Sequence, residues 1–138
     1  MEQAPSKPPP ASPARMLARG ITKRCALCGS GGLFTGWFRM RERCPGCGHR
    51  FEREEGFFLG AYVVNLGITE GLLLLLGIVP CIAFLAANPD ASLLPFVVSG
   101  LVAAVVAPLV FYPFSRTLWS AVDLILRPAE AVEPTDRA

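Results

Sequence analysis

From Phe57 to Ser115 the chain carries no Lys and no Arg, and its one acidic residue besides Asp90 is Glu70. Few soluble folds tolerate such a stretch. It divides at "NPDAS" (88–92), a turn signal, into the apolar runs 57–87 and 93–115, the second without any charge. A helix over the first run is ~46 Å long at 1.5 Å per residue, more than a ~30 Å hydrocarbon core requires. Such a helix must tilt, kink near Pro80, or project its first turns from the bilayer. Nothing else in a chain of 138 residues is large enough to cover two such helices inside a soluble core. The sequence therefore predicts a membrane α-helical protein with a two-helix transmembrane hairpin (56–127). Its helices fall at about 58–87 and 93–115, and a juxtamembrane helical extension covers 116–127.

Charge supplies the orientation. Ten of the thirteen Lys and Arg precede residue 57 and three follow residue 115, while the connecting turn has none. The positive-inside rule then places both termini in the cytoplasm of a multi-pass cell-membrane protein. The first twenty residues are polar and proline-rich, unlike the apolar core of a secretory signal. Residues 1–14 read as a disordered proline-rich tail and 128–138 as a second tail. Tyr112 and Trp119 suit an aromatic belt at the inner face, and Pro128 is expected to stop the extension.

Between the first tail and the hairpin, residues 15–55 hold four of the five cysteines: Cys25, Cys28, Cys44 and Cys47. C-x2-C-x15-C-x2-C is the spacing of a four-cysteine metal site, and paired cysteines in a reducing compartment are metal ligands before they are disulfides. Each C-x2-C is a tight turn that aims two thiolates at one cation, and tetrahedral Zn needs two such turns face to face. Gly29 and Gly48 each follow a second cysteine, where a positive φ lets the backbone amides turn toward sulfur. The segment 33–43 alternates in part, Phe38 and Met40 against Arg39, Arg41 and Arg43, a strand pattern suited to a zinc ribbon. About thirty residues cannot bury enough surface to fold alone, so the metal supplies the missing stability. Structural Zn is the favoured cofactor, with Fe in a rubredoxin-like site behind it and thiol–disulfide exchange third. Gly48 separates Cys47 from His49 and so breaks the haem-attachment motif. His49 reads as a solvated knuckle residue.

Four thiolates leave no open coordination position, so no catalytic residue is assigned and the protein is not expected to be an enzyme. Nucleic acid is an unlikely partner, because proximity to anionic headgroups already accounts for the arginines. Glu70 is the intramembrane polar residue, costly in hydrocarbon and therefore expected to be protonated or paired near Tyr112 or Arg116. Gly67 and Gly71, with Gly60 one heptad earlier, form a small-residue stripe that admits close packing within the hairpin or a homo-oligomer. Cys81 is a small apolar filler.

The pieces also occur in a familiar order. Ala18-Arg19-Gly20 leads into two C-x2-C-G turns, Cys25 to Gly29 and Cys44 to Gly48, around Leu33-Phe34. Glu55-Gly56 then opens the hairpin, and Asp123 with Arg127-Pro128 closes it. Over about residues 17 to 128 this resembles the bacterial membrane protein family catalogued as domain of unknown function 983, in a divergent branch. The resemblance implies an integral membrane protein with a cytoplasmic metal-binding end and no established activity. Together these readings predict a non-enzymatic adaptor or assembly factor, with a protein partner in a membrane complex. The alternative is a redox-active membrane protein that uses its CxxC thiols.

Overall fold

The computed structural model describes residues 11–52 and 54–128. Most of both expected tails, residues 1–10 and 129–138, and Arg53 lie outside the described residues. The chain divides into two compact units, Met1–Tyr62 with Tyr112–Ala138 and, separately, Val63–Phe111.

In the first unit, α1 spans Pro13–Ile21 and so starts inside the segment expected to be tail. A proline is tolerated in a first helical turn because its missing N–H has no intrahelical partner there anyway. Met16 and Gly20, four residues apart, form the buried side of α1, while Ile21 is exposed. The cysteine segment follows, held by turns. Among the described residues it contains no strand, only the isolated bridges Phe34 with Met40 and Arg43 with Arg50. The alternation at 33–43 thus yields a short antiparallel pairing, with Thr35 N–H on the Arg39 carbonyl and Arg41 N–H on the Leu33 carbonyl, that a reversal of the chain cuts off before a full strand forms. Among its described residues this unit also takes in the start of one long helix and the end of the other. The protein's buried apolar core lies wholly here, and includes Met16, Leu27, Leu33, Phe51, Phe58, Ala121 and Leu124 together with Cys25 and Cys44.

α1 meets the late helix at close range. A Cβ on Gly20 would lie 3.1 Å from Ala121 Cβ and from the Leu118 Cα, and Thr117 Oγ1 donates to the Gly20 carbonyl at 2.6 Å. Trp119 Nε1 donates to the Phe57 carbonyl at 2.7 Å. Its indole occupies the space a side chain at Gly60 would need. Gly60 is therefore the seat of a tryptophan, whereas Gly67 and Gly71 face open space.

The second unit carries the apolar runs. α2 (Leu59–Leu73) enters it and continues through a π turn, Leu74–Ile78, into α3 (Val79–Ala87). The Val79 N–H donates to the Leu74 carbonyl, five residues back. Pro80 has no N–H for the Leu76 carbonyl, and the widened turn ahead of it absorbs the misfit predicted near that residue. The Ala91 N–H donates to the Asn88 carbonyl at 3.0 Å, closing the expected Asn-Pro turn. α4 runs unbroken through Leu94–Leu126. Residues 116–126, within the segment expected as a juxtamembrane extension, continue this helix. Leu59–Ala87 and Leu94–Leu126 are both long and apolar enough to cross a membrane.

Burial within Val63–Phe111 is inverted. Its fully buried residues are Asn65 and Thr69, while Leu72, Leu75, Leu76, Leu101, Val105 and their like stand exposed. Asn65 Nδ2 donates to the Pro108 carbonyl at 3.0 Å, tying the two helices of the hairpin, and Thr69 Oγ1 donates to the Asn65 carbonyl at 2.8 Å. Pro113 lies within α4 five residues beyond Pro108, whose carbonyl Asn65 uses, and brings no backbone N–H to the helix.

Candidate metal centre

Two turns of one construction build the site. In the first, the Gly29 N–H donates to the Cys25 carbonyl at 2.8 Å and the Cys25 N–H donates to the Ser30 carbonyl at 3.0 Å. In the second, Gly48 donates to Cys44 at 2.9 Å and Cys44 to His49 at 2.9 Å. Gly29 and Gly48 take φ of 77° and 72°, the left-handed conformation expected of a residue after each second cysteine.

The turns face each other and bring all four Sγ atoms within 4.8 Å of one another. Cys25 Sγ lies 3.8 Å from Cys47 Sγ, and Cys28 Sγ lies 3.5 Å from Cys44 Sγ. A tetrahedron with metal–sulfur bonds of about 2.3 Å has sulfur–sulfur edges of about 3.8 Å. The four cysteines therefore fit a single ion, and no disulfide links them.

Three further residues shape the site. Ser30 Oγ lies 3.0 Å from Cys28 Sγ and 3.1 Å from Cys44 Sγ, so its hydroxyl spans one thiol from each turn. A side chain at Gly46 would overlap that hydroxyl, which fixes glycine there. Arg19, from α1, donates through Nη1 to the Ala26 carbonyl at 3.1 Å and the Leu27 carbonyl at 2.8 Å, clamping the first turn from behind. His49 occupies the position in the second turn that Ser30 occupies in the first. It is buried edge-on to Phe51, with ring centroids 5.8 Å apart, and not solvated as expected. The cysteine spacing points to neither Ser30 nor Arg19, and Arg19 enters only through the Ala18-Arg19-Gly20 motif. The available signal for Ser30 was its fixed offset, a polar residue after each C-x2-C-G.

The thiols differ in acidity. Burial pushes Cys25 up, and Cys47 and Cys44 beside it add to the effect. Burial, with the charges of Cys44 and Cys28, pushes Cys47 up to about 11. Burial also acts upward on Cys28, but hydrogen bonds from the Ser30 side chain and backbone and from Cys44 and Cys47 outweigh it, bringing Cys28 down to about 7. An arriving cation must displace protons from the raised thiols, so uptake releases protons and strengthens with pH.

Glu70 is not part of this constellation. It lies in Val63–Phe111 with an exposed side chain, and no ion pair of Glu70 occurs among the described residues. Arg116 instead packs its guanidinium 4.2 Å from the Phe58 ring and 5.0 Å from the Tyr112 ring. Arg127 lies 3.6 Å from Glu54, which precedes Glu55-Gly56, and 3.8 Å from Asp123, all in the first unit.

A family model described as "Protein of unknown function (DUF983)" matches residues 34–123. The chain belongs to this family. The matched span holds Cys44 and Cys47, Gly60, Asn65, both long apolar stretches and Asp123, and starts beyond Cys25 and Cys28. No curated protein and no solved structure matches the chain.

Proposed function

We propose that this protein is a membrane-anchored adaptor or assembly factor. A structural Zn ion closes its cysteine module at the cytoplasmic face of the cell membrane, and the module presents a surface to a protein partner in a membrane complex. The observation that carries the reading is the contrast in burial. Val63–Phe111 buries Asn65 and Thr69 and exposes its leucines and valines, as lipid requires, while the cysteine unit buries an ordinary apolar core. The donor set supports a structural role, because four thiolates saturate a tetrahedral ion and leave no position for a substrate. Zn suits four thiolates without a redox demand, and Fe is the second candidate. Both the segment before α2 and the end of α4 belong to the cysteine unit, which supports placing both termini on one side. The concentration of Lys and Arg outside residues 57–115 supports that side being the cytoplasm.

Metal analysis of the purified full-length protein tests the centre. One Zn per chain, with four thiols shielded from alkylation until a chelator is added, is the expected result. A metal-free protein that forms and releases a disulfide reversibly would establish the redox alternative instead. Crosslinking in native membranes tests the adaptor role, with a defined protein captured through the cysteine module as the expected result.

A further inference from the structure

The loop between the two cysteine pairs ends in a feature the metal site does not use. The Thr35 N–H donates to the Arg39 carbonyl at 2.9 Å, and Phe34 bridges Met40, so the chain reverses over Gly36, Trp37 and Phe38. Trp37 and Phe38 remain 45% and 54% exposed at this tip, whereas Leu33 and Phe51 of the same module are buried. The Phe38 ring lies 5.2 Å from that of Tyr112, the Trp37 ring 6.5 Å from that of Phe114, and Tyr62 6.2 Å from Tyr112. Tyr62 and Tyr112 are the residues at which the chain passes into and out of the apolar segment Val63–Phe111. Cations stand among these rings. Lys23 Nζ lies 5.1 Å from the Trp37 ring and 5.2 Å from the Phe114 ring, and Arg39 and Arg41 are exposed next to the tip.

We propose that the Trp37-Phe38 tip is an interfacial anchor that seats the cysteine module in the headgroup layer of an anionic bilayer. Lys23, Arg39 and Arg41 lie against lipid phosphates there. The proposal rests on the hairpin being membrane-spanning. Tryptophan belongs at this depth because its ring is apolar and its N–H needs a polar partner. Lysine and arginine beside it gain from the negative surface potential. Continuity decides the occupant: the aromatics packed against the tip flank the two points where the chain enters the apolar segment. The rest of the aromatic cluster thus stands at the depth where a bilayer's hydrocarbon ends.

The test uses the full chain in phosphatidylcholine vesicles with and without phosphatidylglycerol. Trp119→Phe leaves Trp37 as the sole tryptophan. Its emission is expected to be blue-shifted, quenched by phospholipid brominated high on the acyl chain, and shielded from aqueous acrylamide. If Trp119→Phe loses the metal, the difference between wild type and Trp37→Phe supplies the same signal. Omitting phosphatidylglycerol, or combining Arg39→Glu with Arg41→Glu, is expected to cost part of the bromolipid quenching. Unchanged quenching would overturn the electrostatic half of the proposal. A carbonate-resistant protein whose Trp37 is open to acrylamide and blind to bromolipid would overturn the anchor. A wild-type protein that alkaline carbonate strips from the vesicles would instead sink the spanning hairpin itself.

Discussion

The two units of this chain reach order by opposite means. The cysteine unit is specified residue by residue, through Arg19 on the Ala26 and Leu27 carbonyls, Thr117 on Gly20, Trp119 on Phe57 and Gly60, and four sulfurs within 4.8 Å. The apolar unit has few such contacts, chiefly Asn65 on Pro108 and the Phe84–Phe96 ring pair at 5.4 Å. A module of this size lacks the area to fold on apolar burial alone, and directional contacts make up part of the difference. Helices in hydrocarbon have their backbone bonds satisfied internally, so a few polar and close-packing contacts suffice to pair them.

The sharpest way to break this contrast is to remove thiols from the candidate metal centre. Cys44→Ser with Cys47→Ser is expected to lose metal and unfold the cysteine unit, since Zn contributes about 10–16 kcal/mol in small modules. Far-UV circular dichroism should retain most of the helix signal. Loss of the hairpin helices along with the module would show that the two units do not stand apart. Arg19→Ala removes a charged donor from two carbonyls and should destabilise the module by about 1.5–3 kcal/mol, read as faster metal transfer to a chromogenic chelator. An unchanged transfer rate would remove Arg19 from the account.

The glycines divide along the same line. Gly60→Leu should cost about 1–3 kcal/mol by displacing the Trp119 indole, visible in tryptophan fluorescence during denaturation. Gly67→Leu and Gly71→Leu enter open space and should stay within about 0.5 kcal/mol of wild type. A large effect at Gly67 or Gly71 would reveal a second copy packed there. Asn65→Ala should cost only about 0.6 kcal/mol, the average for an interhelical hydrogen bond in a membrane, measured by unfolding in mixed micelles.

What the sequence made legible follows the same division. Local features read well: the two C-x2-C-G turns need only neighbouring residues, and the apolar runs announce their helices by composition. The contacts that join distant parts were not legible. Nothing about Gly60 alone separates a tryptophan seat from one step of a small-residue stripe, because the indole that fills it lies 59 positions further on, at Trp119. The strand pattern at 33–43 survives as one antiparallel bridge, Phe34 with Met40, because the chain reverses too soon for a longer strand. Glu70 drew attention as a charge, yet the polar residues the hairpin buries are the uncharged Asn65 and Thr69. An amide and a hydroxyl carry little weight in a hydropathy profile.

The hydrogen bond from Thr117 to Gly20 joins residues 97 positions apart, and it sets an order of events during synthesis. At about 5–20 residues per second, Thr117 is added roughly 5–20 s after Gly20. In that interval both C-x2-C turns have been made and α1 can reach the first of them through Arg19, while its Gly20 face has no helix to meet. The hairpin then performs the loop closure, since each helix converts a long flexible span into a rod and limits the entropy that joining distant ends would otherwise cost. The late turns of α4 are thus the ones that cover the Gly20 face of α1, and a chain ending before Thr117 would hold all four thiols with that face bare.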